Sequence, residues 1–178
     1  LQDGGYAAVG CTLRLLDSSV LGQALESGCC SLEDVEDARS AARRLGMDFY
    51  VFNFKDAFRR WVMDDFVAAY QAGRTPNPCI QCNRHIKFDA LLRRADDLGI
   101  GQIATGHYAR VDRDGETGRW RLLRGLDRRK DQSYVLYPLT QGQLSRLLLP
   151  LGAYDKASVR ALAEARGLCN ARKPDSQD

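Results

Sequence analysis

The sequence contains no apolar run approaching the roughly 18 residues of a membrane span. From Leu1 onward it offers neither an initiator Met nor the apolar h-region of a signal peptide. Membrane-spanning and secreted proteins are therefore not expected, and a cytoplasmic chain is. Internal repeats and low-complexity segments are also missing, which leaves out solenoids and disordered tracts. Excess charge of one sign is small: 26 Lys and Arg stand against 23 Asp and Glu, a formal net charge of +3, too mild to announce a nucleic-acid partner by itself. What is there suits a folded domain. The 178 residues are 44% hydrophobic and 28% charged, enough for one domain with a proper core and too few for two complete catalytic domains. Beginning at Leu1 and closing on the polar Pro174-Asp175-Ser176-Gln177-Asp178, the chain reads as a segment of a longer protein.

Six cysteines, at 11, 29, 30, 79, 82 and 169, do not make a secreted disulfide framework without a secretion signal, so a reduced chain is expected. Cys29 and Cys30 are adjacent and sterically awkward partners. Cys11 and Cys169 are expected to be small buried hydrophobes. Cys79-Ile80-Gln81-Cys82 alone has the C-x-x-C spacing that redox and metal chemistry use, but no second such pair exists to complete a structural zinc site.

The apolar pattern predicts alternating strands and helices. Tyr6–Leu16 reads as a buried strand, Leu32 to Leu45 as a helix entered through Ser31 and stopped by Gly46, and Phe49–Phe54 as a second strand. Strand, helix, strand in this order suggests a crossover unit with a parallel sheet. A further helix is expected from a cap at Asp56, with Phe58, Trp61, Val62, Phe66 and Tyr70 on its apolar face and Gly73 as its stop. Pro76 and Pro78 hold the next segment extended, and a helix runs from Cys82 to Gly99, so the C-x-x-C straddles a loop and a helix start. Gln102–Thr105 reads as a strand ending at Gly106-His107. Tyr108–Val111 and Trp120–Leu123 form a hairpin around Asp114-Gly115, and the pattern turns helical after Asp131, with a last helix from Lys156 to Arg166 capped by Asp155.

Three places invite chemistry. Thiols near a helix N-terminus feel its positive dipole end, and Arg84 and Lys87 act in the same direction, which favours the reactive thiolate at Cys79 and Cys82. Gly106-His107 follows a strand end, where open α/β sheets place ligands; glycine permits close approach and histidine can donate a hydrogen bond or shuttle a proton. Equally, the pair can be a turn glycine with a packed ring. From Arg110 to Lys130 there are eight basic and four acidic residues, so the positive charge is local, as a phosphate-backbone footprint requires. Trp120 and Tyr134 are aromatic enough to stack on RNA bases but are expected in the core. Asp17-Ser18-Ser19 lacks the glycines of a phosphate-cradling loop, since Arg14, Leu15 and Leu16 precede it.

The stretch from Ala72 to Phe88, AGRTPNPCIQCNRHIKF, resembles the signature loop of the bacterial tRNA-specific 2-thiouridylases. Ala104–Ala109 (ATGHYA), Leu123–Asp127 (LRGLD), Lys130–Tyr134 (KDQSY) and Lys173–Ser176 (KPDS) follow in that family's order. The resemblance implies an adenine nucleotide α-hydrolase-like, Rossmann-like α/β fold, a twisted parallel sheet with helices on both faces, N-terminally truncated. It implies a truncated nucleotide-binding domain over 1–130 and the start of a helical, tRNA-binding region over 131–178. Enzymes of this family activate the C2 carbonyl of the wobble uridine with ATP and Mg2+, after which a cysteine persulfide delivers sulfur to that carbon. By position Cys82 matches the nucleophilic cysteine, and Asn77, Pro78 and Cys79 match residues set against the target base. Leu13 and Gly106 fall on nucleotide-contacting positions, and His107, Lys130, Asp131 and Gln132 on tRNA-contacting ones. The implied partners are tRNA with a wobble uridine and a persulfide donor such as a cysteine desulfurase or relay, for a monomeric enzyme that needs no membrane.

Departures from the family pattern shape the expectation further. The family's Ser-Gly-Gly-x-Asp-Ser loop and its persulfide cysteine are not among the 178 residues, and Cys79 stands where some members have Asp. Cys79 and Cys82 with a third cysteine leave two options open: a reversible disulfide between catalytic thiols, or a four-iron iron–sulfur cluster with three cysteine ligands. Two other readings of the chain are a non-catalytic RNA- or zinc-binding module built on Cys79, Cys82 and His85, and a different tRNA-thiolating ATP pyrophosphatase. The 178 residues alone are expected not to thiolate tRNA; ATP-dependent formation of thiouridine by the isolated chain, detected by nucleoside mass spectrometry, would contradict this.

Overall fold

The computed structural model describes residues 1–16 and 32–172. The Asp17-Ser18-Ser19 connection, Cys29, Cys30, the Ser31 cap and the Lys173–Ser176 motif lie outside the described residues. The chain divides into two compact units, one of residues 1–59 with 160–178, the other of 60–159. Among the described residues no helix is long and apolar enough to cross a membrane.

In the first unit β1 (Gly10–Arg14) and β2 (Phe49–Asn53) pair in parallel, with Gly10 opposite Phe49 and Arg14 opposite Asn53. The helix α1 (Leu32–Arg44) lies between them in sequence, with Glu33 and Asp34 in its first turn and Arg43 and Arg44 in its last, each sign at the dipole end that stabilises it. This is the anticipated strand–helix–strand order. The first strand is shorter than the apolar run suggested, because Gln2–Gly4 forms a 3₁₀ turn and pairing starts only at Gly10. Cys11 and Cys169, expected to be buried, are exposed. Cys11 shares with Arg14 the positions of β1 left open to solvent, and Cys169 follows the end of the last helix. The helix α2 (Lys55–Phe58) opens after Phe54 rather than at an Asp56 cap; the Asn53 Oδ1 accepts the Lys55 amide at 3.2 Å and satisfies one of the helix-start donors earlier in the chain.

A π-helical turn over Arg59–Met63, where the chain passes into the second unit, leads into α3 (Asp64–Gln71). The wider turn shifts the helical repeat, so the anticipated apolar stripe does not bury as one face. Val62 and Ala69 are buried, while Trp61, Phe66 and Tyr70 are exposed. The next helical segment starts at Pro78, four residues before Cys82, as α4 (Pro78–Gln81), widens into a π-helical stretch over Cys82–Ala90 and returns to α geometry in α5 (Leu91–Asp97). Pro78 occupies the first helical position, where its missing N–H costs nothing. Ile86, Phe88, Leu91, Leu92 and Ala95 form its buried side.

Two short sheets complete this unit. The strand β3 (Ile103–Ala104) pairs in parallel with β6 (Leu147–Leu148), and β4 (Ala109–Arg113) pairs antiparallel with β5 (Trp120–Arg124). The hairpin is the expected one, closed by Asp114, whose Oδ1 accepts from the Glu116 and Thr117 amides and the Thr117 hydroxyl. The region after Asp131 is not the continuous helical stretch anticipated. It consists of a 3₁₀ turn (Ser133–Val135), α6 (Gln141–Leu144), β6 and a second 3₁₀ turn (Pro150–Ala153) before α7 (Lys156–Ala165). Only α7 matches its predicted helix, with the Asp155 Oδ1 accepting the Ser158 amide at 2.7 Å.

The start of β4 is where backbones come closest. A Cβ on Gly125 would lie 2.7 Å from the Tyr108 carbonyl oxygen, and one on Gly152 would overlap the Ala109 carbonyl oxygen. A Cβ on Gly106 would only touch Leu151 Cδ1, at 3.7 Å. Gly152→Ala is expected to cost about 2–3 kcal/mol of stability, whereas Gly106→Ala stays within about 0.5 kcal/mol of wild type. Urea unfolding of the two variants at neutral pH measures the contrast.

Candidate functional site

The cysteine pair sits inside a capped helix start. Asn77 is extended, and its Oδ1 accepts from the Cys79 amide at 3.0 Å and the Ile80 amide at 3.4 Å. That cap, with Pro78 at the first position, places Cys79 in the first turn of α4 and Cys82 where the π-helical stretch begins. Both cysteines are half-buried. Asn77 and Pro78 themselves are exposed at the mouth of this helix, beside the thiols they position. Gln81, between the two cysteines, donates from Nε2 to Asp65 at 3.2 Å and ties the helix start to α3. Asn83, next to Cys82, is 2% exposed; its Nδ2 donates to the Val135 carbonyl at 3.4 Å.

His85 is the third side chain a zinc site would have needed. Its ring is stacked on Trp61, with centroids 4.5 Å apart and planes 10° from parallel. Burial, followed by the nearby Arg84 charge, lowers its pKa. Among the described residues no group of three or more His, Cys, Asp or Glu side chains comes together in a way that could hold a metal ion. The zinc module therefore lacks its ligand set here. Among the described residues Cys79 and Cys82 offer two thiols, one short of the three that a cluster with an open iron position uses.

His107 is buried, the state its packed reading anticipated. Its Nδ1 lies 2.8 Å from the Thr105 hydroxyl, and the Phe88 ring stands 6.0 Å away. Burial, with a smaller contribution from the Lys87 charge, lowers its pKa from 6.5 to about 4, so the ring is neutral near pH 7. Gly106, beyond the end of β3, is exposed, and among the described residues a side chain there would meet only Leu151 Cδ1, at ordinary contact distance. An open backbone of this kind fits a contact with a nucleotide. Leu13 is half-buried on β1 in the first unit, whereas Gly106 belongs to the second.

The three residues Lys130, Asp131 and Gln132 divide by role. Lys130 is exposed. Asp131 turns inward: its Oδ1 accepts the Gly125 amide at 2.9 Å and the Ser133 amide at 3.3 Å, and its Oδ2 accepts the Ser133 hydroxyl at 2.9 Å. Burial opposes ionisation of this carboxyl, but the Gly125 amide and the two Ser133 donors outweigh it and hold the pKa below the ordinary carboxylate value. Gln132 clasps Tyr108 from both sides, with Gln132 Oε1 accepting the Tyr108 amide at 3.1 Å and the Gln132 amide donating to the Tyr108 carbonyl at 3.0 Å. Loop residues 125–133 are thereby closed at their base and tied to β4.

The basic segment is unequal along its length. Arg121 is paired with Asp112 and Asp114, each at 2.8 Å. Arg110 and Arg113 donate to the Arg124 and Gly118 carbonyls. Arg128 and Arg129 stand exposed on the closed loop, where with Leu126, Asp127, Ala153 and Asp155 they line an open depression of about 530 Å³.

A parallel strand–helix–strand element and a capped helix carrying two thiols define an α/β chain with a cysteine-bearing helix. The family model described as tRNA methyl transferase HUP domain matches residues 1–178, and the chain belongs to that family, with its Rossmann-like α/β architecture. A curated relative from Carboxydothermus hydrogenoformans, named tRNA-specific 2-thiouridylase MnmA, is 53% identical over 180 residues, covering 100% of this chain and 49% of the relative. Proteins of the same name from Moorella thermoacetica and Heliobacterium modesticaldum are 53% and 50% identical over 178 residues, covering all of this chain and 50% and 46% of theirs. The chain spans about half the length of the curated relatives it matches.

Sequence reasoning missed Asn83, Gly125 and Gly152, whose roles depend on what the fold packs against them. LRGLD did flag Gly125 as part of a motif, without saying why glycine is needed. The His107 environment makes a pH prediction. Below pH 6.5 the unfolded chain binds a proton that the folded chain refuses, so this residue destabilises the fold as pH falls from 6.5 to about 4 and adds no further loss below that. Between pH 7 and pH 5 the expected loss is about 2 kcal/mol. Urea midpoints should therefore fall less steeply with pH in His107→Gln than in wild type, and equal slopes would argue against a buried neutral ring.

Proposed function

We propose that this chain is the nucleotide- and thiol-bearing half of an enzyme that replaces the C2 oxygen of a tRNA wobble uridine with sulfur. The observation that carries the reading is the Asn77-capped helix start, which holds Cys79 and Cys82 half-buried within its first five residues, near the positive end of the helix dipole. The names of the relatives point to the same chemistry. Residues 1–130 serve as the nucleotide-binding part and residues 131–178 open the tRNA-binding part. Leu13 and Gly106 contact the nucleotide; Asn77, Pro78 and Cys79 face the target base; and Lys130 meets the RNA backbone. Asp131 and Gln132 hold the loop that presents Lys130, and His107 supports the same region as a neutral, buried ring.

Uridine C2 is a poor electrophile while its oxygen is a poor leaving group. ATP, bound with Mg2+, supplies a leaving group in which that oxygen departs with the adenylate. A persulfide sulfur then forms the new C–S bond at C2, and the Cys82 thiolate attacks the sulfur carrying it. The S–S bond to the base-bound sulfur breaks as a disulfide to Cys82 forms, and an external thiol reductant resets the pair. The sulfur comes from a persulfide donor such as a cysteine desulfurase or relay protein. The enzyme works as a monomer in the cytoplasm.

In the full-length enzyme carrying this segment, Cys82→Ser is expected to lower 2-thiouridine formation at least a thousandfold while ATP consumption that depends on tRNA continues. Nucleoside mass spectrometry and pyrophosphate release measure the two quantities. Undiminished thiolation by Cys82→Ser would remove Cys82 from the reaction, and product bearing a methyl group instead of sulfur would replace this reading with methyl transfer.

A further inference from the structure

The apolar side chains of the turn that follows the Asp131 clamp divide sharply. Val135 and Leu136 are 4% and 0% exposed, but Tyr134 and Tyr137 are 54% and 70% exposed. The turn over Ser133–Val135 is 3₁₀, and the Leu136 amide still donates to the Ser133 carbonyl. Tyr134 lies within the turn and Tyr137 just beyond it, on either side of the buried Val135 and Leu136 in sequence. The buried pair anchors both. Asn83 bonds the Val135 carbonyl and Asp131 receives both Ser133 donors, so the two rings stand on a fixed backbone. Tyr134 is five residue steps along the chain from Arg129, a span of at most about 18 Å. Exposed cations and exposed rings therefore fall within the reach of one nucleic-acid loop.

Large exposed rings beside exposed arginines suit one kind of partner. Single-stranded RNA offers unstacked bases for aromatic faces and phosphates for guanidinium groups, whereas a paired duplex hides its bases. We propose that Tyr134 and Tyr137 form a stacking platform for unpaired bases of an RNA loop, with Arg128 and Arg129 on the adjacent clamped loop holding its phosphates. The platform rests on the reading of this chain as part of a tRNA-modifying enzyme, and it assigns the substrate's unpaired loop, rather than its helical stems, to this face.

The test compares two RNAs of equal phosphate number, a tRNA anticodon stem–loop with an unpaired wobble uridine and a blunt duplex, bound to the full-length protein over a range of salt. Tyr134→Ala with Tyr137→Ala is expected to weaken stem–loop binding roughly tenfold. It should leave duplex binding and the slope of log affinity against log salt unchanged. The corresponding Phe variants, which keep the ring, should bind as wild type does. Arg128→Ala with Arg129→Ala should reduce the salt slope by about two for both RNAs. Wild-type affinity in the Tyr-to-Ala variant, or an equal loss on the duplex, overturns the platform while leaving tRNA modification standing. Failure of the wild-type protein to bind the stem–loop at all overturns both.

Discussion

The contact on which the second unit depends is the close approach of three backbone segments to Tyr108 and Ala109 at the start of β4. Gly125 and Gly152 pack where side chains would meet the two carbonyl oxygens. Gln132 bonds both the amide and the carbonyl of Tyr108, and the Leu126 amide donates to the Gly152 carbonyl. Polar backbone buried this tightly must have its hydrogen bonds met within the protein. Here that requirement draws the 125–133 loop, the Pro150–Ala153 turn and the hairpin into one arrangement. The loop's basic tip and the tyrosine turn inherit their positions from it.

The thiol helix meets a parallel constraint by other means. Its start is satisfied locally by Asn77 and Pro78, but its widened middle leaves carbonyls that ordinary i to i−4 bonding does not reach. The Phe88 carbonyl is taken by Gln143 Nε2 at 2.6 Å, from a residue that also completes the capping box of α6 with Thr140. Asn83 reaches the Val135 carbonyl from the same stretch. The helix that carries Cys82 is thus fastened to the segments that follow the basic loop. Such fastening holds the Cys82 helix and the segments after the basic loop in a constant relation, which the proposed sulfur transfer to a large substrate would require.

Much of this is legible in the sequence alone, and the legible parts share a cause. The parallel pairing of β1 with β2, the Asp114-closed hairpin and the Asp155 cap of α7 all follow from short-range rules: apolar period, turn residues and side-chain caps. The thiol pair and the Gly106-His107 strand end were visible for the same reason. What escaped was set over longer distances or by small changes in helical geometry. The π-helical turn at Arg59–Met63 exposed Trp61, Phe66 and Tyr70 against the expected stripe, and β6 is too short to show a period.

Asp131 and Gln132 mark the boundary most clearly. The family resemblance set them against tRNA, and their side chains are used to hold Gly125, Ser133 and Tyr108. A sequence can state which groups carry charge or hydrogen-bonding capacity, since that is a property of each residue. By itself it determined the strand–helix–strand opening, a cysteine pair near a helix start and the local excess of positive charge. Only the tertiary structure decided which of those groups are spent inside the fold and which face outward. Burial of a polar group is settled by whichever distant backbone donors and acceptors it meets, and at Asp131, Asn83 and His107 that partner set exists only once the chain has folded.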